Sequence, residues 1–259
     1  MLEAAWWGFV GGAALLVGAL LGLYLKVGLR AIGLVMAFGA GVLISAVAFE
    51  LTEEAYRSAG GTAAALGLAA GSLTFFTGDW LIDRRGGHRR KSPVHGGVRA
   101  PETSAGSGAT TGAAASSGLA LVLGALLDGI PESAAIGISL IGGGGVGVAM
   151  VAAVFLSNIP ESMSATTGLK ASGRSTGWIL GLWALVVAAS TTASVLGYGL
   201  LGGASAETVA FIQTFAAGAI LTMLADTMLP EAVEHAGRLV GLLTVCGFAV
   251  AFFLSSSAA

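Results

Sequence analysis

Two stretches of this chain put acidic side chains beside a proline at the spacing that cation binding uses. Residues 128–137 read DGIPESAAIG and residues 157–166 read SNIPESMSAT, so Ile-Pro-Glu-Ser occurs twice, 29 residues apart. On a helix, Asp128 and Glu132 are related as i,i+4 and Asn158 and Glu161 as i,i+3, so each pair shares one face. Pro131 and Pro160 cannot donate to the carbonyls of Leu127 and Leu156, so each segment should bend or open one turn before its glutamate. Four oxygen-bearing side chains converging with freed carbonyls would make a cation cage. Carboxylates packed together without a cation repel one another. The simpler alternative for either copy is a proline-kinked helix whose glutamate serves packing alone.

The surroundings make these acids costly. Hydrophobic residues form 55% of the chain and charged residues 10%, against about 25% charged in an ordinary soluble domain. The 42 glycines follow no collagen period and lie among Ala, Leu and Val, as in closely packed transmembrane helices. The composition predicts an all-α integral membrane protein. A charged group at the bilayer centre costs at least roughly 2.5–3.5 kcal/mol, and such groups face the bundle interior, paired or liganded. Cys246 is the single cysteine, which excludes an internal disulfide and a cysteine metal cluster. No Walker motif is present, so nothing supports ATP-driven transport.

Apolar segments of about 20 residues, enough to cross a bilayer, fall near 5–25, 31–52, 62–82, 118–141, 146–168, 177–201, 207–230 and 238–256. Lys26, Arg30, the basic run from Arg84 to Arg99, Lys170, Arg174 and Arg238 all fall in connections on one side of that eight-span count. Only Arg57 falls on the other. By the positive-inside rule the basic side is cytoplasmic and both termini are extracytoplasmic, as expected in a plasma (inner) membrane. Residues 1–82 then hold spans one to three, and 83–117 form a cytoplasmic loop. That loop starts basic (DRRGGHRRK) and ends in a Gly/Ala/Ser/Thr tract expected to be a flexible linker. Residues 118–168 hold the central pair and 169–259 the last three spans. His88 and His95 in the loop could bind a metal transiently; a solvated loop that holds topology is the plainer reading.

A second similarity joins spans two and seven. Residues 38–55 read FGAGVLISAVAFELTEEA and residues 215–232 read FAAGAILTMLADTMLPEA, matching at an offset of 177 in Phe38, Ala40, Gly41, Ala48, Glu54 and Ala55. Spans two and seven would run in opposite directions, which predicts a 3+2+3 arrangement with inverted repeats and a site near the midplane. Glu50, Glu53 and Glu54 end span two at one membrane face. Asp226, Glu231 and His235 end span seven at the other. These groups could pass ions at the two mouths, with Glu231 and His235 spaced i,i+4 as exit ligands; solvated helix-end charges are the alternative. Asp79 is expected to be a paired helix-end residue, with Trp80 an interface anchor.

With these residues in view, the chain resembles the ZIP (Zrt/Irt-like) divalent-metal transporters over nearly its whole length. The resemblance implies that spans four and five hold the transported metal. It places the family's span-four His on Asp128, its Asn on Gly129 and its Glu on Glu132, and the span-five polar pair and Glu on Ser157, Asn158 and Glu161. The chain departs from the family where Asp128 stands for an imidazole, where Gly129 offers no side chain, and where span six carries hydroxyls such as Ser190 and Thr191 but no carboxylate. A second ion therefore does not carry over, and an oxygen set shifts preference towards manganese or ferrous iron, although zinc also takes carboxylates. The expectation is a non-enzymatic secondary transporter of a divalent cation, zinc first, moving it towards the cytoplasm by alternating access. Metal (as cargo) and lipid would be the partners, with a homodimer as the candidate assembly and no nucleic acid or organic cofactor. The competing functions are an intramembrane aspartyl protease using Asp128 and Asp226, and a non-transporting scaffold or metal sensor. The first lacks the Gly-x-Gly-Asp context, and neither explains the duplicated tetrapeptide.

Overall fold

In the computed structural model, residues 1–25, 27–84, 110–141 and 147–258 are described. Among them the chain is helical, without a strand. Eight continuous helical segments follow one another: α1 (Leu2–Tyr24), α2 (Leu29–Ala59), α3 (Gly61–Arg84), α4 (Thr110–Ser139), α5 (Val148–Ala171), α6 (Thr176–Leu201), α7 (Ala206–Ala236) and α8 (Leu239–Ala258). The helices α1, α2, α6 and α7, and residues Gly61–Ile82 of α3, are long and apolar enough to cross a membrane. Exposed Trp, Phe, Leu and Val side chains around the outside of the bundle suit a lipid surrounding. The molecule is an all-α, multi-pass membrane protein.

The boundaries differ from the sequence expectation in one place that matters. The tract at 103–118 was expected to be flexible linker throughout, but α4 begins at Thr110. Thr110–Gly118 includes a run of three alanines, the best helix former, so the helix propagates backwards from its apolar body. His88, His95 and the basic residues between Arg85 and Arg99 lie outside the described residues, as does Lys26. Pro131 and Pro160 sit inside the unbroken helices α4 and α5 rather than ending them.

Helix packing follows the glycines. The closest partnerships join α3 with α7, α2 with α8, α1 with α5, and α6 with both α1 and α4. At Gly41 of α2, a Cβ would lie 1.9 Å from the Thr244 carbonyl oxygen of α8, and at Gly247 of α8, 2.0 Å from that of Phe38. At Gly218 of α7 it would lie 2.2 Å from the Leu68 carbonyl oxygen of α3, and at Gly71 of α3, 1.9 Å from that of Phe215. These backbones touch, and any side chain at the crossing would force them apart. Both α2 and α7 also widen into π-helical turns, at Val47–Glu53 and Leu224–Met228. Such turns insert one residue into the helical register and recur at functional sites.

The core has two apolar clusters, and α4 and α5 enter both. One gathers Ile136, Met150 and Val154 with Val47, Leu51, Met223 and Leu224; the other gathers Ala125 and Leu169 with Leu15, Ala19, Ile179 and Trp183. On α4 the stretch between Ala125 and Ala135 carries Asp128, Glu132 and Ser133, all buried. The polar residues therefore occupy the seam where the two clusters meet.

Candidate metal-binding site

Glu132 is the centre of the arrangement. Its side chain is 1% exposed, and neither carboxylate oxygen has a hydrogen-bond partner. Of the buried groups in the described residues, this glutamate carries the largest unmet polar demand. The charges of Glu161 on α5 and Asp128 on α4 both act on it, so the two Ile-Pro-Glu-Ser copies do bring their acids into one electrostatic neighbourhood. Asp128 is buried and Glu161 half-buried, and each is engaged in an interaction.

Asn158 is oriented by a helix outside the duplicated pair. Its Nδ2 donates to the Gly11 carbonyl of α1 at 3.2 Å, which leaves Oδ1 as the atom free to face a ligand. Ser157 is fully buried, and its hydroxyl donates to the Val154 carbonyl of its own helix at 3.0 Å. Room for this part of α5 comes from Gly39 of α2, where a Cβ would stand 3.2 Å from the Ser157 Cα. Ser190 of α6 lies against Gly129: a Cβ there would meet its Oγ at 3.1 Å. The span-six hydroxyl thus approaches the site at the position where the sequence offers no carboxylate.

Among the described residues, no three His, Cys, Asp or Glu side chains stand close enough together to hold a metal ion. The closed cage expected from Asp128, Glu132, Asn158 and Glu161 is therefore not assembled in this conformation. The acids are neighbours in charge without forming a coordination shell. Glu132 lies in α4 and Glu161 in α5, so a shared ion would bridge the two helices.

No protein-family model matches this chain, and no curated protein matches it in sequence. The site must be read from its own chemistry.

The expected mouth residues fall at two ends of the bundle. At one end, Ser164 of α5 donates to the Glu231 carboxylate of α7, and the Lys170 ammonium donates to the Leu23 carbonyl that ends α1. His235 sits there too, its Cβ against Gly33 of α2, with a buried Nδ1 that has no partner. Glu231 is thus held by Ser164. At the other end, Gln213 of α7 donates to the Glu54 carboxylate at 3.0 Å and to the Glu50 carbonyl at 3.1 Å. Arg57, the lone basic residue expected on that side, pairs with Glu53 at 2.5 Å. Asp226 is half-buried within the π-helical turn of α7. Asp79 is buried at 4% exposure and engaged, while Trp80 is exposed with the Arg84 guanidinium 3.7 Å from its ring centre.

Sequence reasoning passed over Ser164, Gln213 and the Gly11 carbonyl. Ser164 was detectable, because it follows Glu161 by three residues and so shares its face. Gln213 was detectable as an amide inside an apolar span. The Gly11 carbonyl carries no sequence signal, since only packing selects which backbone oxygen receives Asn158.

Proposed function

We propose that this chain is a secondary transporter of divalent metal cations, moving its cargo through a carboxylate site formed by Asp128, Glu132 and Glu161 with the amide oxygen of Asn158. The observation that carries the reading is Glu132, a fully buried carboxylate with two unpartnered oxygens, facing the charge of two further acids. A buried charged group is tolerated only when paired or coordinated. Here Asp128 and Glu161 add negative charge beside Glu132, and the first basic residue after Glu161 along the chain is Lys170, nine positions on. A dipositive ion is the guest that offsets such a set, and hard oxygen donors suit zinc, manganese or ferrous iron.

The packing supports alternating access by a 3+2+3 inverted repeat. Exchanging α1–α3 with α6–α8, and α4 with α5, maps one half of the contacts onto the other. The Gly41–Thr244 approach becomes Gly218–Leu68, and Gly247–Phe38 becomes Gly71–Phe215. A Cβ on Gly22 would stand 2.8 Å from the Met163 carbonyl oxygen, as one on Gly197 would stand 2.9 Å from that of Ala134. Met163 and Ala134 are themselves 29 residues apart, the spacing of the Ile-Pro-Glu-Ser copies. A carrier of this design has two related conformations, each open to one face. The ZIP resemblance points to the same class, to zinc as first candidate and to movement towards a cytoplasmic, basic side.

The test is uptake of zinc, manganese, ferrous iron, cadmium and magnesium into liposomes holding the purified protein. Glu132→Ala and Glu161→Ala should each remove most of the flux while the protein stays monodisperse. Equal uptake by wild type and both variants would remove the proposal. Cleavage of a membrane peptide without ion flux would replace it with a protease reading.

A further inference from the structure

We propose that Glu50 is a gate latch, a carboxylate on α2 that caps the bare start of α5 and holds the Glu50 face of the bundle shut above the acidic site. This inference rests on the transport reading for its purpose and on separate residues for its evidence.

The first three or four N–H groups of a helix have no partner within it. An N-cap side chain ordinarily accepts from the second or third of them. The residue before α5 is Gly147, which has no side chain to offer. Two other helices supply what is missing. The Gly147 N–H donates to the Ser139 hydroxyl of α4 at 3.3 Å, and the Met150 N–H donates to Glu50 Oε2 of α2 at 3.1 Å. A carboxylate accepting at a helix N-terminus also meets the positive end of the helix dipole. Gln213 of α7 holds the Glu50 backbone carbonyl. Glu50 thus ties α2, α5 and α7 at one point.

The space around it is fitted to the carboxylate. A Cβ on Gly147 would stand 2.5 Å from Glu50 Oε2, so any side chain at 147 would expel the acid. Glycine here serves the latch by absence.

Beneath the latch lies an apolar plug. Val47 and Leu51, flanking Glu50 on α2, are fully buried, as are Ile136, Met150 and Val154. Ile136 follows Glu132 by one turn and Val154 precedes Asn158 by one turn, and both reach Gly11, where a Cβ would meet them at 2.9 and 3.5 Å. From Glu132 towards the Glu50 face, the seam is therefore closed by apolar contact. Towards the opposite face, buried Ser162, Ser164 and Thr166 of α5 lead to Glu231.

The repeat makes the latch one-sided. At the 177 offset, the counterpart of Glu50 is Thr227, whose hydroxyl turns back to the Met223 carbonyl of its own helix at 2.5 Å. Thr227 therefore supplies no counterpart of the bond by which Glu50 caps another helix. That difference biases two otherwise related conformations towards the one closed at Glu50.

The test is thiol accessibility in the full chain. With Cys246→Ser as background and Val154→Cys as the reporter, proteoliposomes receive a membrane-impermeant maleimide and the labelling rate is followed. Glu50→Ala and Gly147→Ala break the latch from its two sides. Each should raise labelling about tenfold, the factor that corresponds to about 1.4 kcal/mol, of the order of a charge-assisted cap. Glu50→Gln, which keeps an acceptor oxygen, should fall between. Unchanged labelling in whichever of the two latch-breaking variants elutes as a single species would overturn the proposal. Labelling needs no cation, so the latch is decided even in liposomes that take up no metal. A rise in labelling without any flux would retain the latch and sink the transport reading.

Discussion

Replacing Glu132 with methionine should abolish transport and at the same time make the protein harder to unfold. Methionine matches glutamate in length and helix preference and carries no hydrogen-bonding demand. Glu132 is 1% exposed with both oxygens unpartnered, so the wild type bears the desolvation of that group with no compensating bond in the protein. An unmet buried polar group costs about 1–3 kcal/mol, and more when it is charged. Glu132→Met should therefore stabilise by about 1–3 kcal/mol, a rise in melting temperature of roughly 2–10 °C for a domain of this size. Cation should stabilise the wild type alone. At a hundredfold excess over its dissociation constant, a bound ion stabilises the wild type by about 2.7 kcal/mol, and the variant should gain none of this. Tryptophan fluorescence melts in detergent, with and without zinc or manganese, measure both effects beside liposome uptake. Two results would refute the reasoning. A variant that melts several degrees lower would mean that the carboxylate is bonded within the protein. A variant that keeps wild-type uptake would mean that the acid is not a ligand.

Other expectations follow from the packing and the mouths. Gly41→Ala and Gly218→Ala should each cost several kcal/mol or prevent folding, since their Cβ atoms would meet backbone oxygens at 1.9 and 2.2 Å. Gly181→Ala, with nothing within 4 Å, should instead stabilise by about 0.5–1 kcal/mol, and thermal melts of the three proteins compare them. Ser164→Ala removes one donor from the Glu231 carboxylate and should slow cation uptake several-fold for a loss of about 1 kcal/mol in a denaturant or thermal assay. Trp183→Phe breaks the buried 2.8 Å bond from the indole Nε1 to Thr166 and should lower stability by about 1–2 kcal/mol while leaving uptake intact.

The sequence by itself determined the class of the molecule and the chemistry of its centre. Few charges and apolar runs of about 20 residues point to a membrane helix bundle, because in lipid a helix satisfies its own backbone groups and needs about that length to cross. The i,i+4 and i,i+3 spacings fixed which acids share a face, and a duplicated tetrapeptide marked the two helices that carry them. The 177 offset paired spans two and seven by sequence alone. Those are local or periodic properties, and periodicity survives without knowledge of contacts. The tertiary structure alone decided what each polar group meets. It left Glu132 without a partner, gave the Asn158 amide to Gly11, placed Ser164 on Glu231 and turned Glu50 into the cap of another helix. It also showed that the acids neighbour one another without closing into a coordination shell. Those outcomes depend on where backbones touch, at glycines such as Gly41, Gly218 and Gly147, and a contact between residues a hundred positions apart leaves no periodic trace in either segment.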